Sequence, residues 1–571
     1  MSEVSRGTTL RRPWVFWVGA LVVVVLLAYA VVARMSRSRP GFELPSFASQ
    51  VSMDAFDTLA VQSQGRLKSY RSFATDIVSF ISGSHVEDPG FYYMDLMLRP
   101  EAYEDVAIIY VKSKPLRQRL VPALERDGMA YEEARAFLER GYIAPRWLER
   151  GPATLETLDR LRTDAIGAAK HVQALESALQ LRSPQNLASN LLMIPPSDGS
   201  ATSPWAPLAL LAEADIVPDE RARVTLGGSW DRLVIAWRAQ DAQIVHDELE
   251  TLAGIRDSLA GALYPSVERL GWESWYYASG HMTWVWLVYM LALILLLLSI
   301  VYRWRGAYLG GVGVFAIALA LHTLSIGLRW YVAGRWPNSN MFEAVTTSVW
   351  FGAVFVIPVE WFVRRGPMRG LFYLTSSVAS MAALMSAHLM PVSLNPAIGT
   401  MMPILHDVWL YIHTNVIIFS YALIAMASVT SILYLLHRAA GGERDYARAG
   451  GTGSLLWLPK KQEDAGRGAS MPVVLDGVTM VLMELSFVLL WAGIVMGAIW
   501  ADHSWGRPWG WDPKEVFALN TFLVFVLLIH VRLVTRDKGL WTAWLAVIGC
   551  VSMLFNWIVI NFIISGLHSY A

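Results

Sequence analysis

Long apolar stretches dominate the second half of this chain. From residue 281 onward eight of them follow one another, each close to the ~20 residues that a helix needs to cross a bilayer. They lie at residues 282–301, 309–332, 342–362, 371–389, 411–436, 481–499, 516–534 and 540–564. The pattern predicts an all-α polytopic membrane protein in which residues 281–571 form an eight-helix transmembrane bundle.

A ninth apolar stretch, residues 14–33, follows a basic N-terminal segment. A cleaved signal peptide is one interpretation. A retained single-span anchor is the favoured one, because Arg34, Ser36 and Arg37 follow the stretch where a cleavage site would need small residues. Residues 1–34 are therefore predicted to be a cytoplasmic tail and a transmembrane anchor.

Residues 35–280 differ from both flanking parts, since they carry most of the charge. Apolar positions recur with helical spacing over residues 137–179 and 233–263, which indicates helices. Residues 182–218 are rich in Pro, Ser and Asn and are predicted to be largely loop. We expect a mainly helical soluble domain, whose isolated histidines are predicted to be surface residues: His85, His171 and His246.

Composition supports a membrane protein and excludes several function classes. Only 16% of residues are charged, against about 25% in soluble domains. The formal net charge is zero, so no overall basic field favours nucleic acid as a partner. The single cysteine, Cys550, lies in an apolar stretch. It excludes a disulfide framework, a CxxC redox pair and a covalent CxxCH haem site in this chain.

Basic residues alternate between the predicted loops. Arginines and lysines concentrate in the loops near residues 303–305, 364–369, 438–467 and 536–538 and in the N-terminal segment. By the positive-inside rule these lie in the cytoplasm. Residues 35–280, the loops at 333–341, 390–410 and 500–515, and the C-terminus are then extracytoplasmic. Nine spans place the two termini on opposite sides, which agrees with this assignment.

The segment 500–515, WADHSWGRPWGWDPKE, holds four tryptophans between two predicted spans. They are Trp500, Trp505, Trp509 and Trp511. Tryptophans collect at bilayer interfaces, which is the alternative explanation for one or two of them. Four indoles at this spacing favour a loop that shields a flat aromatic ligand at the membrane surface.

The histidines fall into two sets by predicted depth. His322 and His530 lie inside different spans, where an ionisable side chain is costly and often functional. Two such imidazoles at similar depth favour bis-histidine ligation of a metal or haem, although a neutral imidazole hydrogen-bonded between helices is the alternative. Six more lie near the outer surface, and depth alone does not choose among them: His281, His388, His406, His413, His503 and His568.

Four motifs of residues 281–571 resemble, in order, those of the CcsA (ResC) family of System II cytochrome c biogenesis. They are LHTLSIGLRWYVAGRWPNSNMFEA, DVWLYIHTNVIIFSYA, WGRPWGWDPKEVFALNTF followed by IHVR, and NFIISGLHSYA. Matched residue by residue, His413 and His568 correspond to the family's outer haem ligands, and His322 and His530 to its intramembrane ones. The family often has Gly-His-x-Pro where this chain has Gly334-Arg335-Trp336-Pro337, so no ligand is placed there. Residues 61–83 resemble a segment that precedes the CcsA part of fused CcsBA proteins.

The resemblance implies a function. Haem b would be moved outward across the bacterial cytoplasmic membrane, held at His413 and His568, and joined by thioether bonds to the CxxCH cysteines of apocytochrome c. The chain would then be a component of a holocytochrome c synthase (haem lyase), with a separate CcsB (ResB) partner. Asp512, with His413 and His568, would be catalytic, and the four tryptophans would bind haem. Arg507 and Lys514 could pair with the propionates, and ordinary interface cations are the alternative for these two. Three alternatives remain open: a System I CcmF- or CcmC-type haem protein, a haem transporter without ligation chemistry, and a membrane scaffold.

Overall fold

The computed structural model describes most of the chain outside the N-terminal segment. The described residues are 45–83, 86–163, 168–200, 203–259, 263–391, 393–401, 407–447 and 470–560. The predicted anchor, His85, His406 and His568 lie outside these ranges. In the described ranges the chain is predominantly helical, as predicted.

The N-terminal region, residues 45–279, consists of short helices that surround one apolar core. The helices are α1 (Asp54–Asp57), α2 (Tyr70–Ser82), α3 (Pro89–Leu98), α4 (Lys114–Arg126), α5 (Tyr131–Arg140), α6 (Pro145–Arg150), α7 (Pro152–Arg162), α8 (Ala168–Arg182), α9 (Pro184–Asn190), α10 (Glu220–Ala239), α11 (Ala242–Ala253), α12 (Ile255–Leu259) and α13 (Val267–Ala278). Many begin at a side-chain cap. For example, Ser69 accepts a hydrogen bond from the Ser72 amide at the start of α2, and Gly83 ends that helix in the left-handed conformation.

Three two-stranded antiparallel sheets complete this region. They pair β1 (Ala60–Ser63) with β2 (Arg66–Ser69), β3 (Ile109–Tyr110) with β4 (Tyr142–Ile143), and β5 (Leu192–Ile194) with β6 (Ala206–Pro207). The stretch predicted to be largely loop, residues 182–218, is therefore interrupted by α9, β5 and β6. Proline does not exclude a helix that begins at it. Pro184 occupies the first turn of α9, where no amide donor is needed.

The core of the N-terminal region is aromatic. Trp237 is fully buried and makes edge-to-face contact with Phe47, at 5.6 Å between ring centroids. Its Nε1 donates to Asp95 at 2.9 Å, and Tyr103 Oη donates to the same carboxylate at 2.6 Å. Such partners are what allow a buried carboxylate to persist in an apolar core.

Among the described residues, eight long helices follow the N-terminal region. They are α14 (Trp286–Tyr302), α15 (Arg305–Ala333), α16 (Met341–Val363), α17 (Leu371–Leu389), α18 (Val408–Ala439), α19 (Met471–Trp505), α20 (Pro513–Val534) and α21 (Lys538–Phe555). A 3₁₀ turn, Gly280–Val285, leads into α14, and a π turn, Asn556–Ile560, continues α21. The protein is thus a multi-pass membrane protein.

Seven of these helices, among the described residues, are long and apolar enough to cross a membrane. The eighth predicted span, α17, forms a helix over the predicted residues but is not one of the seven. It carries four buried hydroxyl side chains, at Thr375, Ser376, Ser377 and Ser380, which lower its apolar character. That α17 crosses the membrane as the eighth span therefore stays a prediction.

The bundle has two packed groups joined by α18. Helices α14, α15, α16 and α17 pack on one another, whereas α19, α20 and α21 pack together on the other side. Helix α18 contacts α16, α17, α19 and α21. Near the end where α20 finishes, Arg532 forms a buried ion pair with Asp476, at 2.7 Å.

The N-terminal region rests on the opposite end of the bundle. Helix α13 packs on both α2 and α15. Arg269 Nη2, from α13, donates to the Val332 carbonyl near the end of α15 at 2.9 Å. The tryptophan-rich segment lies at this same end, so the N-terminal region and the candidate site are neighbours.

Candidate functional site

The tryptophan-rich segment 500–515 is only partly a loop. Helix α19 continues through Trp505 and ends at Gly506, which adopts the left-handed conformation with φ +69°. Helix α20 begins at Pro513. The prediction of a loop from residue 500 is therefore wrong for its first six residues, because the apolar helix has no breaker before Gly506.

Asp512 is the N-cap of α20. Its side chain accepts from the Lys514 amide at 3.1 Å, while the Glu515 carboxylate accepts from the Asp512 amide at 3.2 Å. The Asp512 side chain also accepts from the Glu515 amide, so Asp512 and Glu515 form a reciprocal capping box. Glu515 accepts in addition from the Gly510 amide at 2.9 Å. The structure thus gives Asp512 a role in fixing the turn that carries Trp509 and Trp511.

The four indoles have different environments. Trp500 is buried and meets Trp505 edge to face, with ring centroids 4.9 Å apart. Trp509 and Trp511 make a second edge-to-face pair at 6.0 Å. Trp511 is 73% exposed, and its backbone has a positive φ of 56°. The segment is therefore two indole pairs, one in the bundle and one at its surface.

His413 lies one turn into α18, whose start is fixed by Asp407. The Asp407 carboxylate accepts from the Trp409 amide at 2.7 Å. The His413 ring reaches α19, where Nδ1 lies 2.7 Å from the Gly493 carbonyl oxygen. Because a carbonyl can only accept, Nδ1 carries the proton, and in the neutral ring Nε2 carries the lone pair.

Gly497 makes room for this imidazole. A Cβ at position 497 would lie 2.6 Å from His413 Cε1 and 2.8 Å from Nδ1. Gly493, four residues earlier, lies on the same face of α19, where a Cβ would lie 2.5 Å from Ile417. Small residues at this spacing allow close approach of two membrane helices.

A cavity of about 300 Å³ opens beside His413. Its wall is mainly apolar and includes Trp500, Trp509, Met401 and Tyr421, with Asn340 and Lys514 among its polar residues. The other residues predicted for the segment, Trp505, Trp511 and Asp512, are not part of the described wall. The structure therefore brings together His413, Trp500 and Trp509 from the predicted set.

A buried ion-pair network supports one side of this cavity. Glu343 is fully buried and accepts from Arg329 Nε at 2.8 Å and from Arg335 Nη1 at 2.9 Å. The same carboxylate accepts from the amide and the hydroxyl of Ser339, at 2.7 and 3.0 Å. Ser339 and Asn340 belong to the cavity wall, so the network fixes the backbone that borders it. Sequence reasoning missed this network, although charged residues in apolar stretches were a usable signal.

We expect the substitution Glu343→Gln to destabilise the protein strongly. It leaves two guanidinium groups facing a neutral amide in a buried site, a change that costs about 3–5 kcal/mol in comparable pairs. The measurement is the thermal unfolding midpoint of the purified protein in detergent. The exposed Glu250, replaced in the same way, is the control. Equal midpoints for both variants would show that the network contributes little.

The two intramembrane histidines lie in different environments. His322, on α15, is buried, and its Nδ1 lies 3.3 Å from Tyr289 Oη. His530, on α20, is exposed, and its Nδ1 lies 2.8 Å from the Val526 carbonyl of its own helix. Helix α15 packs in one group of the bundle and α20 in the other. The two imidazoles therefore have different partners, on helices that belong to different groups of the bundle, and their shared role stays a prediction.

The remaining described histidines of the outer set also differ from one another. His281 is buried against Tyr276 and Tyr277, with ring centroids 5.1 and 4.5 Å away. His388 Nδ1 lies 2.8 Å from Thr283 Oγ1. His503 is exposed on the last turn of α19. Among all described histidines of the outer set, only His413 belongs to the cavity wall.

Comparison with known proteins identifies the family. The family model "Cytochrome C assembly protein" matches residues 338–568. The cytochrome c biogenesis protein CcsA of Gloeobacter violaceus is 30% identical in an alignment of 293 residues that covers 46% of this chain and 86% of the relative. CcsA of Guillardia theta is 29% identical over 286 residues, covering 48% and 92% of the two chains. The chain belongs to the CcsA family.

Membership in the CcsA family confirms the resemblance inferred from the motifs. Residues 338–568 contain His413, the tryptophan-rich segment and all described residues of the cavity wall. The CcsA relatives match less than half of this chain, however. Arg329, which holds Glu343, precedes the matched residues 338–568.

Proposed function

We propose that this chain binds haem b as its substrate in the cavity beside His413, on the extracytoplasmic side of a bacterial cytoplasmic membrane. The observation that carries the proposal is the orientation of His413. Its Nδ1–H is held by the Gly493 carbonyl, which leaves Nε2 as the lone-pair donor. Histidines that bind metals usually donate their other N–H to such a partner. His568, the second ligand in the proposal, rests on the family resemblance and lies outside the described residues.

The cavity residues suit an apolar macrocycle with anionic substituents. Trp500 and Trp509 supply aromatic faces for a conjugated ring, and Met401 and Tyr421 extend the apolar wall. Lys514 is a cation in the same wall, where it could pair with a propionate. We propose that Asp512 acts indirectly, by capping α20 and so placing Lys514 and Trp509.

In the proposed reaction each cysteine thiol of a CxxCH motif adds across a vinyl group of haem. The sulfur forms a bond to one vinyl carbon, and the thiol proton ends on the other, so neither an oxidant nor a reductant is consumed. The site would contribute by holding the vinyl edge in a fixed position for the incoming peptide. The histidine of the CxxCH motif would then replace one protein ligand at the iron. His322 and His530 remain proposed contacts on the inward path of haem, and a CcsB-type protein remains the proposed partner.

The deciding experiment uses the intact protein purified from a host that makes c-type cytochromes. We expect a six-coordinate, low-spin haem spectrum before and after reduction with dithionite. Addition of a reduced CxxCH peptide is expected to give a haem–peptide adduct that survives acid extraction and has the mass of two thioether bonds. A CxxCA peptide, which lacks the histidine proposed to replace a protein ligand, is the matched control for release of the product. Folded protein that holds no haem would contradict the proposed haem site, and bound haem that gives no adduct when a CcsB-type partner is present would contradict the proposed reaction.

A further inference from the structure

The segment from Pro396 to Met401 is shared by the two halves of the protein. Met401 forms part of the wall of the His413 cavity, and its sulfur accepts a hydrogen bond from Tyr411 Oη at 3.4 Å. The preceding residues lie beneath the N-terminal region. Ile398, at the centre of the segment, is fully buried. A displacement of this segment would therefore move a wall of the cavity.

Arg66, on β2 of the N-terminal region, makes two separate contacts at this junction. Its Nε donates to the Ile398 carbonyl at 2.8 Å, and its Nη2 donates to Glu273 at 2.6 Å. The Ile398 amide donates to Tyr277 Oη at 3.1 Å. Both backbone polar groups of Ile398 are thus bound by side chains from the N-terminal region.

The turn before Arg66 forms a third contact. Thr400 Oγ1 donates to the Gln64 carbonyl at 3.3 Å. Gly65 has a positive φ of 75°, and a Cβ there would lie 3.2 Å from the Thr400 methyl group. Glycine is therefore favoured at position 65, because it adopts a positive φ without strain. Its lack of a side chain also lets the β1–β2 turn approach Thr400 closely.

From the other side the bundle binds the same segment. Arg329 Nη1 donates to the Pro396 carbonyl at 2.8 Å, and Arg335 Nη2 donates to the Gly399 carbonyl at 3.2 Å. The carbonyls of residues 396, 398 and 399 consequently receive guanidinium donors from two directions. A loop with its backbone held in this way has little freedom to move independently.

The charge on Arg66 is secured by its surroundings. Glu273 is fully buried, and Ser72 Oγ donates to it at 2.8 Å. Burial acts to lower the pKa of the Arg66 guanidinium, but the Glu273 carboxylate beside it raises that pKa above the ordinary value. The planar guanidinium can serve the carboxylate and the carbonyl together, whereas an ammonium group is a single point charge.

We infer that Arg66 is a positioning residue for the His413 cavity, through which the N-terminal region fixes the segment that ends in Met401. The inference deepens the proposed function and rests on it. By this inference the N-terminal region helps to retain haem. The position of Met401 in the cavity wall would depend on Arg66, which lies more than 300 positions earlier in the chain.

The test uses the double variant Arg66→Lys, Thr400→Val in the full-length protein. Lysine keeps a positive charge beside Glu273, and valine keeps the volume of threonine, so the buried carboxylate is not left unpaired. We expect haem to leave about five- to tenfold faster, the effect of losing one or two hydrogen bonds. The measurements are the rate of haem transfer to a haem-scavenging protein and the midpoint potential of the bound haem.

The matched control is Arg71→Lys. Arg71 forms a partly buried ion pair with Asp57 in the same region, at 2.6 Å, away from the Met401 segment. It is expected to leave haem loss and potential at wild-type values. If the double variant and a haem-loaded wild type lose haem at the same rate and have the same midpoint potential, this inference alone is overturned. It is also overturned if Arg71→Lys changes both quantities as much as the double variant does. A wild type that holds no haem would overturn the proposed function and this inference with it.

Discussion

Replacing His413 by glycine is expected to remove haem from the protein and to abolish thioether formation. The substitution deletes the imidazole that the Gly493 carbonyl orients, while leaving the tryptophan walls in place. Removal of a group that only hydrogen-bonds to a metal-binding histidine lowers metal affinity by about 10–100-fold. Removal of the histidine itself should therefore lower the affinity further. Absorption spectra of the purified variant and the yield of haem–peptide adduct measure the two effects.

Imidazole in the buffer is the internal check on this variant. The deleted side chain leaves a space of its own size, so added imidazole is expected to restore the low-spin spectrum and part of the adduct yield. His503→Gly is the matched control, since His503 lies on α19 but is exposed and outside the cavity wall. Full haem content in the His413 variant without imidazole would rule out His413 as the ligand.

The second large effect is expected from Gly497→Ala. The new methyl group would lie 2.6 Å from His413 Cε1, inside van der Waals contact, so the imidazole must move away from α19. The bond from Nδ1 to the Gly493 carbonyl would then be lost or distorted. We expect haem affinity to fall by about 10–100-fold, as when an outer-shell partner of a histidine ligand is removed. Titration of the haem-depleted protein with haem measures this change.

Gly313→Ala separates this effect from a general change in helix stability. Gly313 lies on α15, and a Cβ there would meet nothing within 4 Å. Alanine favours a helix over glycine by about 1 kcal/mol at either position. The control is therefore expected to keep its haem affinity. Wild-type affinity in the Gly497 variant would mean that the ring is held by contacts other than those with α19.

The helical architecture could be predicted because it follows from local apolar spacing. Stretches of about 20 apolar residues leave a membrane helix few alternatives, and seven such helices are present among the described residues. The family could also be predicted, since its motifs are contiguous along the chain. His413 was identified through that resemblance, not through its depth in the bundle.

Contacts between distant segments could not be predicted in the same way. Nothing near Arg66 in sequence indicates that it binds the Ile398 carbonyl, because that contact depends on how the two halves pack. The five hydrogen bonds that the Glu343 carboxylate accepts likewise arise from the folding of residues 329–343 around it. The Asp512 capping box, in contrast, follows from a local signal in the sequence, Asp-Pro-Lys-Glu.

His413 and Trp500 are mounted on two helices that approach closely at Gly493 and Gly497. If these two helices tilt together as a rigid body, the His413 imidazole and the Trp500 indole move together and the distance between them is preserved. Met401 and Lys514 belong to other segments, before α18 and at the start of α20. Because the segment that ends in Met401 is itself held by Arg66, Arg329 and Arg335, a wider cavity would require movement on the Lys514 side, with the distance between the imidazole and the indole unchanged.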